Sequence, residues 1–403
     1  MTYDHPTNAS ARLGHRRLVA LTFSLLGLHV GVRAVQLADQ AIALDLEPGQ
    51  LGTGASLSAV AGIITLIAGA LLVDRLGRRP ILALGLIGTG ASFWAQAVVT
   101  NYPQFLAASL GYGLLVSFLD LAANTLGSDV ERSEGRELMN GFHSWFSLAA
   151  SVGALLSAVG LAVGSGYHSA FILLGAAMAL GGLWAVRRSL PPSTALPPIS
   201  ALHEEAPAPH KQPGRRRMPS GVLLAAAIVT LCFFGDGILE TFLALLVRHN
   251  ETAPLWLSGI TLGLFHLASW LGRRLSQRAI TAWGERRVLV TAALLGSLAM
   301  TASLWLTHGW LATLGFALVG FALSPIVPIG FSLAGRLAPA GREGAAIGLV
   351  NALGYGAFIA SPAAAGFVAH HSTITTGVGL AAITMLGIAA VALALPAERN
   401  SGA

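Results

Sequence analysis

The sequence predicts an all-α polytopic membrane protein whose twelve transmembrane helices form two pseudo-symmetric six-helix bundles. Three observations carry that prediction. Of the 403 residues 54% are hydrophobic and only 10% are charged, with a mean hydropathy of +0.69, whereas a soluble domain carries roughly 25% charged residues. The apolar residues fall into twelve runs, each close to the ~20 residues a helix needs to cross the hydrocarbon core. The basic residues gather at the ends of those runs, and almost all of them on one side.

The runs lie near 18–38, 51–73, 81–100, 104–126, 139–163, 170–186, 220–246, 257–277, 288–306, 310–333, 344–368 and 374–395. Arg273, Arg274 and Arg278 crowd the end of the eighth. Between the sixth and seventh runs the composition changes. Pro191, Pro192, Pro197, Pro198, Pro207, Pro209 and Pro213 leave too few apolar residues to bury a folded element. The expected organisation is a tail (1–17), a six-helix bundle (18–186), a flexible linker (187–219), a second bundle (220–395) and a second tail (396–403).

With an even number of spans both termini share a side. Of the 24 basic residues only Arg33, inside the first span, and Arg248, on the other side, fall elsewhere. The positive-inside rule then makes both termini and the linker cytoplasmic. The same placement explains a pI near 10.2 as membrane orientation and removes the case for nucleic-acid binding. Met1–Arg17 is polar and the first run is too long for a signal h-region, so no cleavable signal is expected. The single cysteine, Cys232, excludes an internal disulfide and any cysteine-based metal cluster. No nucleophile–base pair, metal-ligand cluster or phosphate-binding loop stands at recognisable spacing, which argues against an enzyme and against a cofactor or metal.

The halves echo one another. The turn after the second run contains Gly69, Asp74, Arg75, Gly77, Arg78 and Arg79, and the turn after the eighth keeps the glycine and the final arginine as Gly284 and Arg286, with Thr281 replacing the acid. Asn140-Gly-Phe-His-Ser-Trp at the start of the fifth run pairs with Asn351-Ala-Leu-Gly-Tyr-Gly in the eleventh. Two parallel repeats around a central cavity account for both echoes.

The first turn reads G-x-x-x-x-D-R-x-G-R-R. Gly69 lets helices approach, Asp74 can cap a helix or pair with an arginine, and Gly77 permits a tight turn. Arg75, Arg78 and Arg79 stay at the anionic leaflet. At this position the motif resembles the signature loop of the major facilitator superfamily. That resemblance covers nearly the whole chain and implies two bundles rocking about a midplane site. Leu119-Asp120-Leu-Ala-Ala-Asn124, Gly141-Phe-His143-Ser144, Phe234-Gly-Asp236-Gly237 and Gly354-Tyr355 with Ser361-Pro362 further resemble the fucose permease-like branch and its less characterised bacterial members. In that branch an acid at the position of Asp120 serves proton coupling and a residue at the position of His143 faces substrate. Sugar-transporting members carry an acid in helix 1, where this chain has Val32-Arg33-Ala34-Val35-Gln36.

The polar residues inside the apolar runs are the candidate site, because an ionisable group in a membrane helix is costly and usually functional. Asp120 is a lone carboxylate in an apolar run. Burial disfavours the charged form of a carboxyl group, so such a residue can load and release a proton. A structural ion pair with Arg33 is the compatible alternative, since a proton competing with Arg33 for Asp120 makes the two a coupling switch; Arg33 is otherwise expected to meet an anionic substrate group. Asn124 lies one turn further on the same face, and Gln36 lies near Arg33 on the first helix. Each can bind substrate or simply hydrogen-bond a neighbouring helix. His143 and Tyr355 are cavity candidates that packing would equally explain. Asp236 and Glu240 stand at i,i+4 and share a face, where one of them is protonated, a cation sits between them, or Glu240 is solvated in a wetter cavity.

The resemblance therefore implies a secondary transporter of the bacterial inner membrane. It is expected to move a small polar or amphipathic solute by alternating access, with protons as the coupling ion in symport and a monomer as its form. The alternative is proton-driven efflux, by antiport, of drugs or metabolites. Drug antiporters of the superfamily usually carry an arginine in helix 4 and a Gly-Pro motif in helix 5. Here the fourth run lacks arginine and the fifth lacks proline.

Overall fold

The computed structural model describes residues 6–136, 138–192, 218–249, 253–306, 308–339 and 341–395, without the side chains at 6–9, 67, 69–74 and 140. Twelve helical passes follow one another. They are α1 (Pro6–Ala43), α2 (Pro48–Leu76), α3 (Arg78–Ala97), α4 (Tyr102–Glu134), α5 (Met139–Ala162), α6 (Tyr167–Ala185), α7 (Ser220–Arg248), α8 (Leu257–Trp283), α9 (Glu285–Trp305), α10 (Gly309–Leu337), α11 (Glu343–His371) and α12 (Ile374–Leu393). Most of the proline-rich segment expected as a linker, 193–217, lies outside the described residues.

Eleven of these passes are long and apolar enough to cross a membrane. The exception is α8, which carries Arg273, Arg274 and Arg278 yet packs as a continuous helix against α5 and α10. Arg274 lays its guanidinium over the Trp270 ring at 4.9 Å. Three passes depart from the expected runs. A π-helical turn, Leu84–Gly88, interrupts α3. Ser324 and Pro325 break α10 into Gly309–Leu323 and Ile326–Leu337. Two further turns carry α4 beyond residue 126 to Glu134, so Asp129, Glu131 and Arg132 are helical. The helix stops where Gly135 takes up a left-handed conformation, φ 62°. Glu131 reaches forward to accept from the backbone N–H groups of Leu138 (2.7 Å) and Met139 (2.9 Å), which start α5.

The internal repeat is visible in how the helices pair. In the first half α1 packs on α5, α2 on α4 and α3 on α6; in the second α7 packs on α11, α8 on α10 and α9 on α12. The two echoing turns agree in backbone too. Gly77 has φ 81° and ψ 166°, and Gly284 has φ 80° and ψ 156°, conformations that favour glycine. The bundles meet through α2 against α11 and α5 against α8, which are equivalent pairs under the repeat, and through α1 against α7.

Small residues allow the closest approaches, as expected where apolar burial alone cannot hold helices together in lipid. A side chain at Gly31 of α1 would run into the backbone of Ala150 on α5, and one at Gly113 of α4 into the backbone of Ser58 on α2. Gly31→Val is expected to destabilise the protein by about 1–3 kcal/mol, read as a lower unfolding temperature of the purified protein.

Candidate functional site

One face of α1 carries His29, Arg33, Gln36 and Gln40, and from it His29, Arg33 and Gln40 reach residues of α3 or α4. The Arg33 guanidinium lies 4.2 Å from the centre of the Tyr112 ring on α4. Tyr112 is fixed in turn by a 3.0 Å hydrogen bond between its hydroxyl and His29 Nε2. Arg33 Nε and Nη2 are buried and have no hydrogen-bond partner among the described residues. One turn further, Gln36 is fully buried, and neither its amide nitrogen nor its oxygen has a partner there. Gln40 donates to the Gln96 carbonyl of α3 at 2.9 Å.

Asp120 is half-buried on α4, eight residues or about 12 Å along the helix from Tyr112 at 1.5 Å per residue. That offset separates it from Arg33, and the alternative ion pair between them does not form. Its carboxylate accepts from Asn124 Nδ2 at 2.9 Å, and the same nitrogen donates to the Asp120 carbonyl at 2.9 Å. Tyr355 of α11 lies within electrostatic reach across the bundle interface. The Tyr355 ring sits 5.9 Å from that of Phe233 and the residue is exposed. No arginine, lysine or histidine pairs with Asp120 among the described residues.

The second bundle supplies the other acids. Asp236 and Glu240 share a face of α7. The carboxylate of Glu240 stands 3.7 Å from His266 Nε2 of α8, too far for a good hydrogen bond, and in Coulombic reach of Arg33 across the interface. Asp236 faces Arg273 of α8, which also donates from Nη1 to Ser147 Oγ of α5 at 2.9 Å. His143, near the start of α5, is exposed, meets Phe23 of α1 edge-on at 5.0 Å and lies near Arg273. Arg273 is likewise exposed although it lies well inside α8 and bonds across the bundle interface. Tyr355 of α11 is exposed as well. Arg273, Ser147 and Tyr112 carry no site role that is legible from a sequence motif. Arg273 and His266 are seven residues apart, two helical turns on one face, and that spacing was the available signal.

The bundles are fastened at the end away from the termini. Arg248 Nη1, at the end of α7, bonds Asp39 of α1 at 2.6 Å, and Asp39 also accepts from the Tyr167 backbone N–H at 2.8 Å. Ser56 of α2 inserts its hydroxyl beside Pro362 in α11, donating to the Ile359 carbonyl (2.6 Å) and accepting from the Ala363 N–H (3.1 Å). At the terminal end the motif loop ties one bundle to itself. Arg78 pairs with Asp129 of α4, Arg132 reaches the same acid at 3.2 Å, and Arg16 of α1 pairs with Glu134. Arg79 donates to the Arg188 carbonyl at 3.2 Å, and Arg75 is exposed. The side chains of Gly69 and Asp74 lie outside the described residues. The second half mirrors this link with reversed charge, Glu285 at the start of α9 pairing with Arg336 of α10.

Residues 18–362 match the family model of the Major Facilitator Superfamily. An uncharacterised MFS-type transporter of Yersinia pestis is 29% identical over 303 residues, covering 74% of each chain. An uncharacterised transporter of Sinorhizobium fredii is 28% identical over 336 residues, covering 80% of this chain and 81% of that one. Among solved structures, a point mutant of the nucleoside transporter NupG superposes with a TM-score of 0.77 at 12% identity, covering 95% of this chain and 99% of the other. A bacterial homologue of the human lysosomal transporter Spinster, inward-facing and unoccupied, superposes at 0.68 and 13% identity over 97% of each chain. At these identities the structural likeness concerns the fold.

Proposed function

Because the chain belongs to the major facilitator superfamily, we propose that this multi-pass membrane transporter moves a small polar or amphipathic solute by alternating access, coupled to proton symport through Asp120. One observation carries the coupling. Asp120, Asp236 and Glu240 are half-buried acids on α4 and α7. Arg33 lies in reach of Glu240 and Arg273 of Asp236, while Asp120 has, among the described residues, the amide of Asn124 as its partner. A buried charge without a counter-ion is costly, and a carboxyl group in that position exchanges a proton as water access changes. Asp120 stands at the bundle interface, where rocking alters that access.

In this reading Asn124, Gln36, His143, Asp236, Glu240 and Tyr355 contact substrate, and Arg33 sets the local field. Gly69, Asp74, Arg75, Gly77, Arg78 and Arg79 gate the motion at the terminal end. The protein is a monomer in the bacterial inner membrane with its termini in the cytoplasm, and it belongs to the fucose permease-like branch. The fastened end is then periplasmic and the cavity faces inward.

The test is a metabolite mixture presented to proteoliposomes under an imposed pH gradient, with the lumen analysed by mass spectrometry. Symport predicts that one solute accumulates when the outside is acidic. Accumulation only when the lumen is acidic would replace this reading with antiport.

A further inference from the structure

We propose that the substrate is a small zwitterion of the α-amino acid type, its carboxylate held by Arg33 of the first bundle and its ammonium by Glu240 of the second. The inference rests on the transporter reading and deepens it by naming the substrate's chemistry.

The first support is the state of Arg33. Tyr112 occupies one face of the guanidinium, at 4.2 Å, and leaves its edge free. Nε and Nη2, which form the parallel pair of donors that a carboxylate accepts bidentately, are the two atoms without partners among the described residues. A guanidinium edge kept dry and unpaired is costly, and a planar anion is the group that fits it. The unpartnered amide of Gln36, one turn away, offers a further donor and acceptor.

The second support comes from the opposite bundle. Glu240 lies in Coulombic reach of Arg33, yet the two make no salt bridge and no hydrogen bond. Among the described residues the Glu240 carboxylate accepts no hydrogen bond, its nearest partner being His266 at 3.7 Å. Both residues are half-buried. A guanidinium edge and a carboxyl group, each without a hydrogen-bond partner among the described residues, thus stand apart across the bundle interface.

The two ends select among the ligands that could bridge them. A simple anion leaves the Glu240 carboxyl group without a partner, and a simple cation leaves the Arg33 edge unfilled. A zwitterion satisfies both ends and adds no net charge. It also joins the two bundles, so its binding favours their closure.

The experiment is a binding assay on the purified full-length protein in lipid nanodiscs, using the twenty proteinogenic amino acids as probes. For the tightest binder, its methyl ester removes the anion and its 2-hydroxy acid removes the ammonium. Each analogue is expected to bind about tenfold more weakly or worse. Glu240→Gln should erase the preference for the amino acid over the hydroxy acid, and Arg33→Gln its preference over the ester. The analogue comparison stands on the unaltered protein even where a variant fails to fold. Absence of amino-acid binding, or analogues that bind as well as their parent, overturns the proposal. Binding requires no flux, so intact zwitterion binding without proton-driven transport defeats only the coupling reading. Proton-driven transport of a neutral or singly charged solute defeats only this inference.

Discussion

Asp120→Asn is expected to abolish concentrative uptake while leaving exchange of the same solute across the membrane within a few-fold of the unaltered rate. Asparagine matches aspartate in size and still offers a carbonyl oxygen to Asn124, whose amide lies 2.9 Å from the carboxylate. It carries no proton, so solute should equilibrate without accumulating. Counterflow and gradient-driven uptake in proteoliposomes measure the two activities separately. Asp236→Asn makes the contrasting control. Asp236 lies in Coulombic reach of Arg273, and removing it leaves the Arg273 guanidinium without its neighbouring acid. That variant should lose stability and exchange together. If Asp120→Asn instead behaves like Asp236→Asn, Asp120 is structural.

Arg248→Met is expected to shift the protein strongly toward the state open at the end away from the termini. The Asp39–Arg248 pair joins α1 to α7 at 2.6 Å, with side-chain exposures of 16% and 6%, so it is largely desolvated. Asp39 keeps its bond from the Tyr167 N–H when the arginine is gone, and so remains satisfied within its own bundle. The loss therefore falls on the closed state. Taking about 3 kcal/mol for a pair of this burial, the population ratio moves by roughly a hundredfold. Spin labels at Ala43 and His249, both exposed at the far ends of the two helices, should report a longer distance in Arg248→Met. An unchanged distance distribution would show that the Ser56 bridge to α11 and the α5–α8 packing hold that end alone.

The fold was largely legible because membrane helices announce themselves through length and hydropathy. The turn glycines were legible for a related reason. Gly77 and Gly284 both occupy a conformation that suits glycine, so the repeat left a trace in sequence. What sequence obscured was direction. Arg273 looked like one more basic residue at a helix end, yet it faces the interface, while Arg274 beside it stacks on Trp270. One residue is a turn of about 100° around a helix at 3.6 residues per turn, and composition does not record it.

The same limit applied to the site. Arg33 and Asp120 were natural partners by charge, but their depths differ, and an aromatic face rather than an acid receives the arginine. Asn124 beside Asp120 was readable from one-turn spacing and is found hydrogen-bonded there. The cross-bundle contacts, Asp39 with Arg248 and Ser56 with Ile359, depend on how two halves separated by a linker are brought together. No local pattern contains that information, although Arg248, the one basic residue on its side, was an available hint.

The central claim is that Asp120 itself takes up and releases the proton, and infrared difference spectroscopy during a pH jump tests it most directly without needing a substrate. Acidification of the purified protein should produce a carboxylic-acid carbonyl band of which one component is lost in Asp120→Asn and retained in Asp236→Asn. A band of full amplitude in Asp120→Asn would contradict the assignment and move the proton to another group.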